Sequence, residues 1–186
     1  MYWPFQSIHG FFVYAVRKMI ELLKITKDSE WRYVDQIQKV AYAQYLLEDL
    51  TVLKEKAKVP GHFCFLVVEL GSEDVIGYVL AHPYPEDKIP SLNTGHLVPS
   101  ANDVRNVFLH DMALDPSCAG KGVGKRVVSE LLKKVKEQGY KSMTLIAVQS
   151  SDKFWNKAGG FEPMKPTDPK SLKKYGEGAK MMHLVF

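Results

Sequence analysis

Two short stretches hold the residue types from which chemistry can be built. In the first, Gly120, Gly122 and Gly124 fall at alternate positions among Lys121, Lys125 and Arg126. An apolar run precedes them at 107–114 and an amphipathic run follows at 127–138, so the order reads strand, glycine loop, helix. Glycines permit positive φ and close approach, and a helix start adds unpaired amides and the positive end of its dipole. A phosphate or pyrophosphate suits such a cradle. In the second stretch His110 is followed by Asp111, inside the apolar run. Histidine titrates near working pH and suits proton transfer. Neighbours on a strand point to opposite faces, so only one of the two is expected to face a given pocket, and His110 is preferred.

Two better-known phosphate loops do not fit. The nucleoside-triphosphate loop needs Gly, four residues, then Gly-Lys-Ser/Thr. Aligned on Gly124 and Lys125, it finds Ala119 in the first glycine position and Arg126 in place of the hydroxyl. The dinucleotide fingerprint Gly-x-Gly-x-x-Gly follows the first strand of a βαβ unit. Here the spacing is Gly-x-Gly-x-Gly, about two-thirds of the way along the chain. A glycine turn without a ligand is the plain alternative.

Residues 119–124 resemble the acyl-CoA loop of the GNAT superfamily of N-acetyltransferases, whose pattern is Gln/Arg-x-x-Gly-x-Gly/Ala. Gly122 and Gly124 fill the two small positions, while Ala119 stands where Gln or Arg is usual and Lys121 is placed to compensate. The strand at 108–114 is similar to that of arylalkylamine N-acetyltransferases, which carry histidines at two alternate positions. His110 matches the second, Phe108 replaces the first, and Asp111 matches the position where many other members place an acidic base. The resemblance implies that Met112, Ala113 and Leu114 contact pantetheine. It also implies that Ala119, Gly120, Lys121, Gly122, Val123, Gly124 and Lys125 hold the pyrophosphate.

In that reading a base must deprotonate the amine, since holding an alkyl ammonium of pKa near 10 neutral at pH 7 costs about 4 kcal/mol. A strand amide is expected to stabilise the oxyanion. The family often protonates the leaving thiolate from a tyrosine in Tyr-x-x-x-Gly-Phe. The matching segment here, Phe154-Trp155-Asn156-Lys157-Ala158-Gly159-Gly160-Phe161, has Trp155 in place of the tyrosine and one extra residue before the Gly-Phe pair. An indole is no acid at neutral pH. Ser150, Ser151 and Tyr175 are the substitutes in sequence, with Ser151, Phe154 and Trp155 expected beside CoA. Thiols titrate near 8.5, so losing the tyrosine slows catalysis without abolishing it.

These residues need a scaffold. With 186 residues and 46% hydrophobic content, one domain with a substantial core is expected at 18–186, behind an aromatic arm at 1–17 that packs on it or on a second subunit as a homodimer. The arm has neither the basic start of a secretory signal nor the unbroken apolar length of a membrane span. A net charge of +4 spread along the chain fits an anionic ligand and calls for no nucleic acid. Two cysteines, Cys64 and Cys118, suit a reduced, cytoplasmic compartment. Cys118, near a helix start, reads as a bystander or a reactive thiol.

The patterning predicts a strand at 18–25 and helices at 31–41 and 45–58. A hairpin follows at 62–70 and 75–82, and then a long loop at 83–106, read as a lid. Further on come the central strand 107–114, a helix at 122–138, a parallel strand at 142–148, a helix from 150 to 157 and a last strand at 179–186. The fold class expected is a GNAT-like α/β (α+β) fold: a central mixed, mostly antiparallel sheet flanked by helices, with a parallel βαβ core. The activity expected is acetyl transfer from acetyl-CoA, as co-substrate and with no metal, to the primary amine of a small molecule by direct attack. The alternatives are a protein N-terminal or lysine acetyltransferase and a non-catalytic acyl-CoA binding module.

Overall fold

The computed structural model describes residues 19–92 and 104–186; the arm at 1–17 and residues 93–103 of the expected lid lie outside them. β1 spans Ile20–Lys24. The turn after it is tied by Glu30, whose carboxylate accepts the Thr26 and Lys27 amides at 2.8 Å each. α1, Trp31–Ala41, then buries Trp31, Val34 and Ile37 on one face. The helix expected over 45–58 is broken. A single 3-10 turn covers Gln44–Leu46, the chain extends, and α2 starts afresh at Leu50–Lys56 because the Asp49 carboxylate accepts the Thr51 amide at 2.7 Å.

β2 (Phe63–Glu69) and β3 (Val75–Pro83) form the expected hairpin. Then follow β4 (Asn106–Leu114), α3 (Val123–Glu137), β5 (Ser142–Ala147) and α4 (Asp152–Gly159). The tail holds a two-residue β6 (Glu162–Pro163), an unforeseen α5 (Pro169–Lys173) capped by Asp168, and β7 (Lys180–Val185).

The sheet order is β1-β2-β3-β4-β5-β7-β6. Every pair is antiparallel except β4 with β5. The chain's last strand is therefore not an edge: β7 lies between β5 and β6. Val123, Val127, Val128, Leu131 and Val135 of α3 cover one face of the sheet over Val79, Val107, Leu109, Met143 and Leu145. Trp31, Val34 and Ile37 of α1, with Leu53 of α2, cover the other over Leu66, Tyr78 and Leu80. The parallel pairing stops early, at Leu109 opposite Leu145. Beyond it β4 stays with β3 and β5 stays with β7, so the two strands part and leave backbone groups facing a gap. Among the described residues no helix is long and apolar enough to cross a membrane.

Candidate active site

Where β4 leaves β5, its register with β3 slips. Leu80 lies opposite Asp111 and Ala81 opposite Leu109, so His110 has no counterpart. An inserted residue of this kind reverses the alternation of the strand beyond it. The His110 ring lies 6.1 Å from His82 and 6.2 Å from Phe108, while Asp111 meets the hydroxyls of Tyr42 and Tyr78 on the α1 side. Ala113 packs with Tyr78 and Leu80 on that side too. His110 and Asp111 thus share a face, which corrects the expectation that consecutive strand residues diverge.

His110 Nε2 stands 2.5 Å from Glu48 Oε1, with the two side chains 0% and 7% exposed. Donation of Nε2–H to the carboxylate leaves the lone pair on Nδ1, and Nδ1 has no hydrogen-bond partner among the described residues. Glu48 reaches this spot because it sits in the break between the 3-10 turn and α2. Sequence reasoning missed it, since it belongs to no motif; the only signal was Asp49-x-Thr51, a cap that interrupts the apolar spacing.

Asp111 is enclosed by two tyrosines. The Tyr42 hydroxyl lies 2.5 Å from Oδ1 and 2.9 Å from the Met112 carbonyl, and the Tyr78 hydroxyl lies 2.5 Å from Oδ2. Burial pushes the Asp111 carboxyl up, against the opposing pull of both hydroxyls and of His110. Burial, reinforced by the carboxylate, holds both phenols well above their ordinary range.

His110, Asp111, Met112, Ala113, Leu114, Ser151, Phe154, Trp155 and Tyr175 all border one cleft of about 230 Å³, joined by Tyr42, Leu46, Glu48 and Leu92 at its other end. The glycine loop is not in that lining. It adjoins it through Gly124, where a Cβ would stand 3.0 Å from the Phe154 ring and 3.5 Å from Leu114. Gly122 is the N-cap of α3 at φ +71°, a left-handed value, and open space lies where side chains at Gly120 and Gly122 would project. Val123, Gly124 and Lys125 form the first turn of α3, whose amides have no partner within the helix.

The sequence model of the acetyltransferase (GNAT) family matches residues 26–161. The chain belongs to the GNAT acetyltransferase family. Among curated proteins none matches it. This GNAT acetyltransferase shares its fold with the ribosomal-protein-S18-alanine N-acetyltransferase of Escherichia coli, at 14% identity and TM-score 0.63 over 90% of this chain and 94% of that one. The NatC complex bound to Gag peptide and CoA gives 15% identity and TM-score 0.63 over 90% and 98%. YhbS of Escherichia coli in complex with CoA gives 15% identity and TM-score 0.61 over 92% and 82%.

An acetyltransferase of this family takes its acetyl group from acetyl-CoA, and the residues present fit that donor. The uncovered glycine loop heads a helix, and beyond it the parted β4 and β5 offer unpaired backbone along an apolar cleft. Trp155 is buried, and its indole N–H donates to Ser151 Oγ at 3.1 Å. Tyr175 borders the cleft but spends its hydrogen on the Pro90 carbonyl at 2.6 Å; burial pushes its phenol up, with Glu48 adding to the shift. Cys64 and Cys118 are both buried and form no disulfide.

Proposed function

We propose that this acetyltransferase acetylates the primary amine of a small molecule by direct attack, with His110 as general base and Glu48 as the residue that positions it. The observation carrying this reading is the Glu48–His110 pair at 2.5 Å. It fixes one ring nitrogen as donor and leaves the other a lone pair, as base catalysis requires. Asp111 is less suited to the role, because both its oxygens are engaged by tyrosines. Met112, Ala113 and Leu114 line the wall that pantetheine follows, while residues 119–125 hold the pyrophosphate through loop and helix amides. The acceptor end is walled by Tyr42, Leu46, Leu92 and Tyr175 around the buried Glu48, which suits a compact amine with an apolar or aromatic body.

The ribosomal-protein-S18-alanine N-acetyltransferase is named for an alanine of a protein and NatC was captured with a peptide, so peptides belong in the test. The purified protein is incubated with acetyl-CoA and pooled primary amines, or with peptides bearing free N-termini and lysines, and products are read by mass spectrometry. An acetylated small amine is expected. Acetylation of peptides alone overturns the acceptor class, and acetyl-CoA bound but never consumed overturns the enzyme reading in favour of a binding module.

A further inference from the structure

On the face of α1 that buries Trp31, Val34 and Ile37 stands a polar side chain, Gln38, itself 3% exposed. Packing alone asks for an apolar residue there, since a buried carboxamide is costly unless its hydrogen bonds are met. Here one residue of another segment meets both ends. Nε2 donates to the Glu48 carbonyl at 3.1 Å, and Oε1 accepts the Glu48 amide at 3.3 Å. Leu47 and Asp49 on either side are extended, and an extended residue presents its N–H and C=O along one edge. The carboxamide therefore pairs with Glu48 as a neighbouring strand would.

We propose that Gln38 is a positioning residue for the catalytic pair: by clamping the Glu48 main chain it sets where the Glu48 carboxylate stands, and so which nitrogen of His110 carries the hydrogen. The inference rests on His110 as the base. Glu48 lies in the connection 47–49, outside both the 3-10 turn and α2, so no helix fixes its backbone. A small rotation there carries the carboxylate off its 2.5 Å approach to Nε2. Two bonds to one residue resist that rotation, where a single bond would act as a pivot.

The main chain of Gln38 makes a second tie. Its carbonyl accepts the Tyr42 amide at 3.0 Å, closing the end of α1 from which Tyr42 reaches Asp111. One residue thus holds both segments that meet the consecutive His110 and Asp111, Glu48 through its side chain and Tyr42 through its backbone. Gln38→Met keeps the side-chain length and the helix. It releases the first tie and leaves the second.

Amide hydrogen exchange read by NMR tests the clamp without any acceptor. The Glu48 amide is expected to exchange slowly in wild type and at least about tenfold faster in Gln38→Met, while the amides of α1 stay protected. Rapid exchange in wild type, or equal exchange in the two proteins, overturns the clamp. With acetyl-CoA and 2-phenylethylamine, Gln38→Met should lower kcat about tenfold, inside the ~100-fold that a small misplacement can cost, while calorimetric affinity for acetyl-CoA holds. In the Glu48→Gln background the same substitution should lower kcat no further, since residues that act as one unit are not additive. Full activity in Gln38→Met, a parallel loss of acetyl-CoA affinity, or an undiminished loss in the Glu48→Gln background overturns the positioning role and spares the base, provided His110→Ala is slow. Unchanged activity in His110→Ala overturns the base itself, and the positioning role with it.

Discussion

Glu48 and His110 stand 62 positions apart in the chain and 2.5 Å apart in space. The carboxylate comes from a break between two helical turns and the imidazole from a strand bulge, so two local irregularities build one pair. If the pair is the catalytic base, His110→Ala lowers kcat by about 10²–10⁴-fold. Glu48→Gln lowers it at least about tenfold, with the KM for acetyl-CoA little changed. Steady-state kinetics check both. Glu48→Ala also withdraws the carboxylate that favours the charged form of the buried Lys56. Breaking a buried ionic cluster costs about 3–5 kcal/mol, which a drop in calorimetric Tm would register.

The glycine loop gives a binding prediction. Gly122 holds φ +71° at the N-cap of α3, where a Cβ costs about 1–2 kcal/mol. Gly122→Ala should raise the Kd for CoA about tenfold. Gly124→Val drives its side chain toward the Phe154 ring and should weaken CoA further. Titration calorimetry tests the pair, and unchanged affinity in both variants would remove the loop from the CoA site.

His82 predicts a pH effect on stability. Its ring is fully buried, and burial, followed by the nearby His110, lowers its pKa from the usual 6.5 to about 3. Between these values the unfolded chain binds a proton that the folded chain refuses, so stability rises with pH across that window and is lost as pH falls from 6.5 toward 3. The slope from this residue is about 1.4 kcal/mol per pH unit. His82→Phe, placed beside Phe108 and Tyr84, should flatten the dependence. Urea unfolding at pH 4, 5, 6 and 7 gives the comparison, and parallel curves for the two proteins would count against it.

The thiols should be silent. Cys118 is 5% exposed and Cys64 0%, and burial pushes the Cys64 thiol up to about 12. A thiol reagent at pH 8 is expected to label neither in the folded protein and both in urea. Rapid labelling of Cys118 with loss of activity would revive it as a reactive group at the loop.

The sheet, the helix after the glycine loop and the parallel crossover were legible because each rests on local pattern. The strands at 62–70 and 75–82 are largely apolar runs set between turn signals, α3 repeats its valines and leucines at helical spacing, and Gly122 marks its start. The same logic failed at 45–58, where the spacing of Leu46, Leu50 and Leu53 looked continuous and one carboxylate, Asp49, restarted the helix. It failed again at α5, five residues held by a cap and carrying too little apolar surface for a period to show.

Sequence by itself determined which groups were available: a glycine-rich helix start among cationic residues, a histidine beside an aspartate, and a tryptophan where the family resemblance leads one to expect a tyrosine. Spacing along the chain is enough for that, since loops and strands are read over a few residues. Only the tertiary structure decided how those groups meet. The bulge turned Asp111 to the face of His110, the broken helix delivered Glu48, and the end of α1 brought Tyr42 onto Asp111. Those contacts join elements distant in the chain, and each depends on a register or a bend that packing selects and no local pattern encodes.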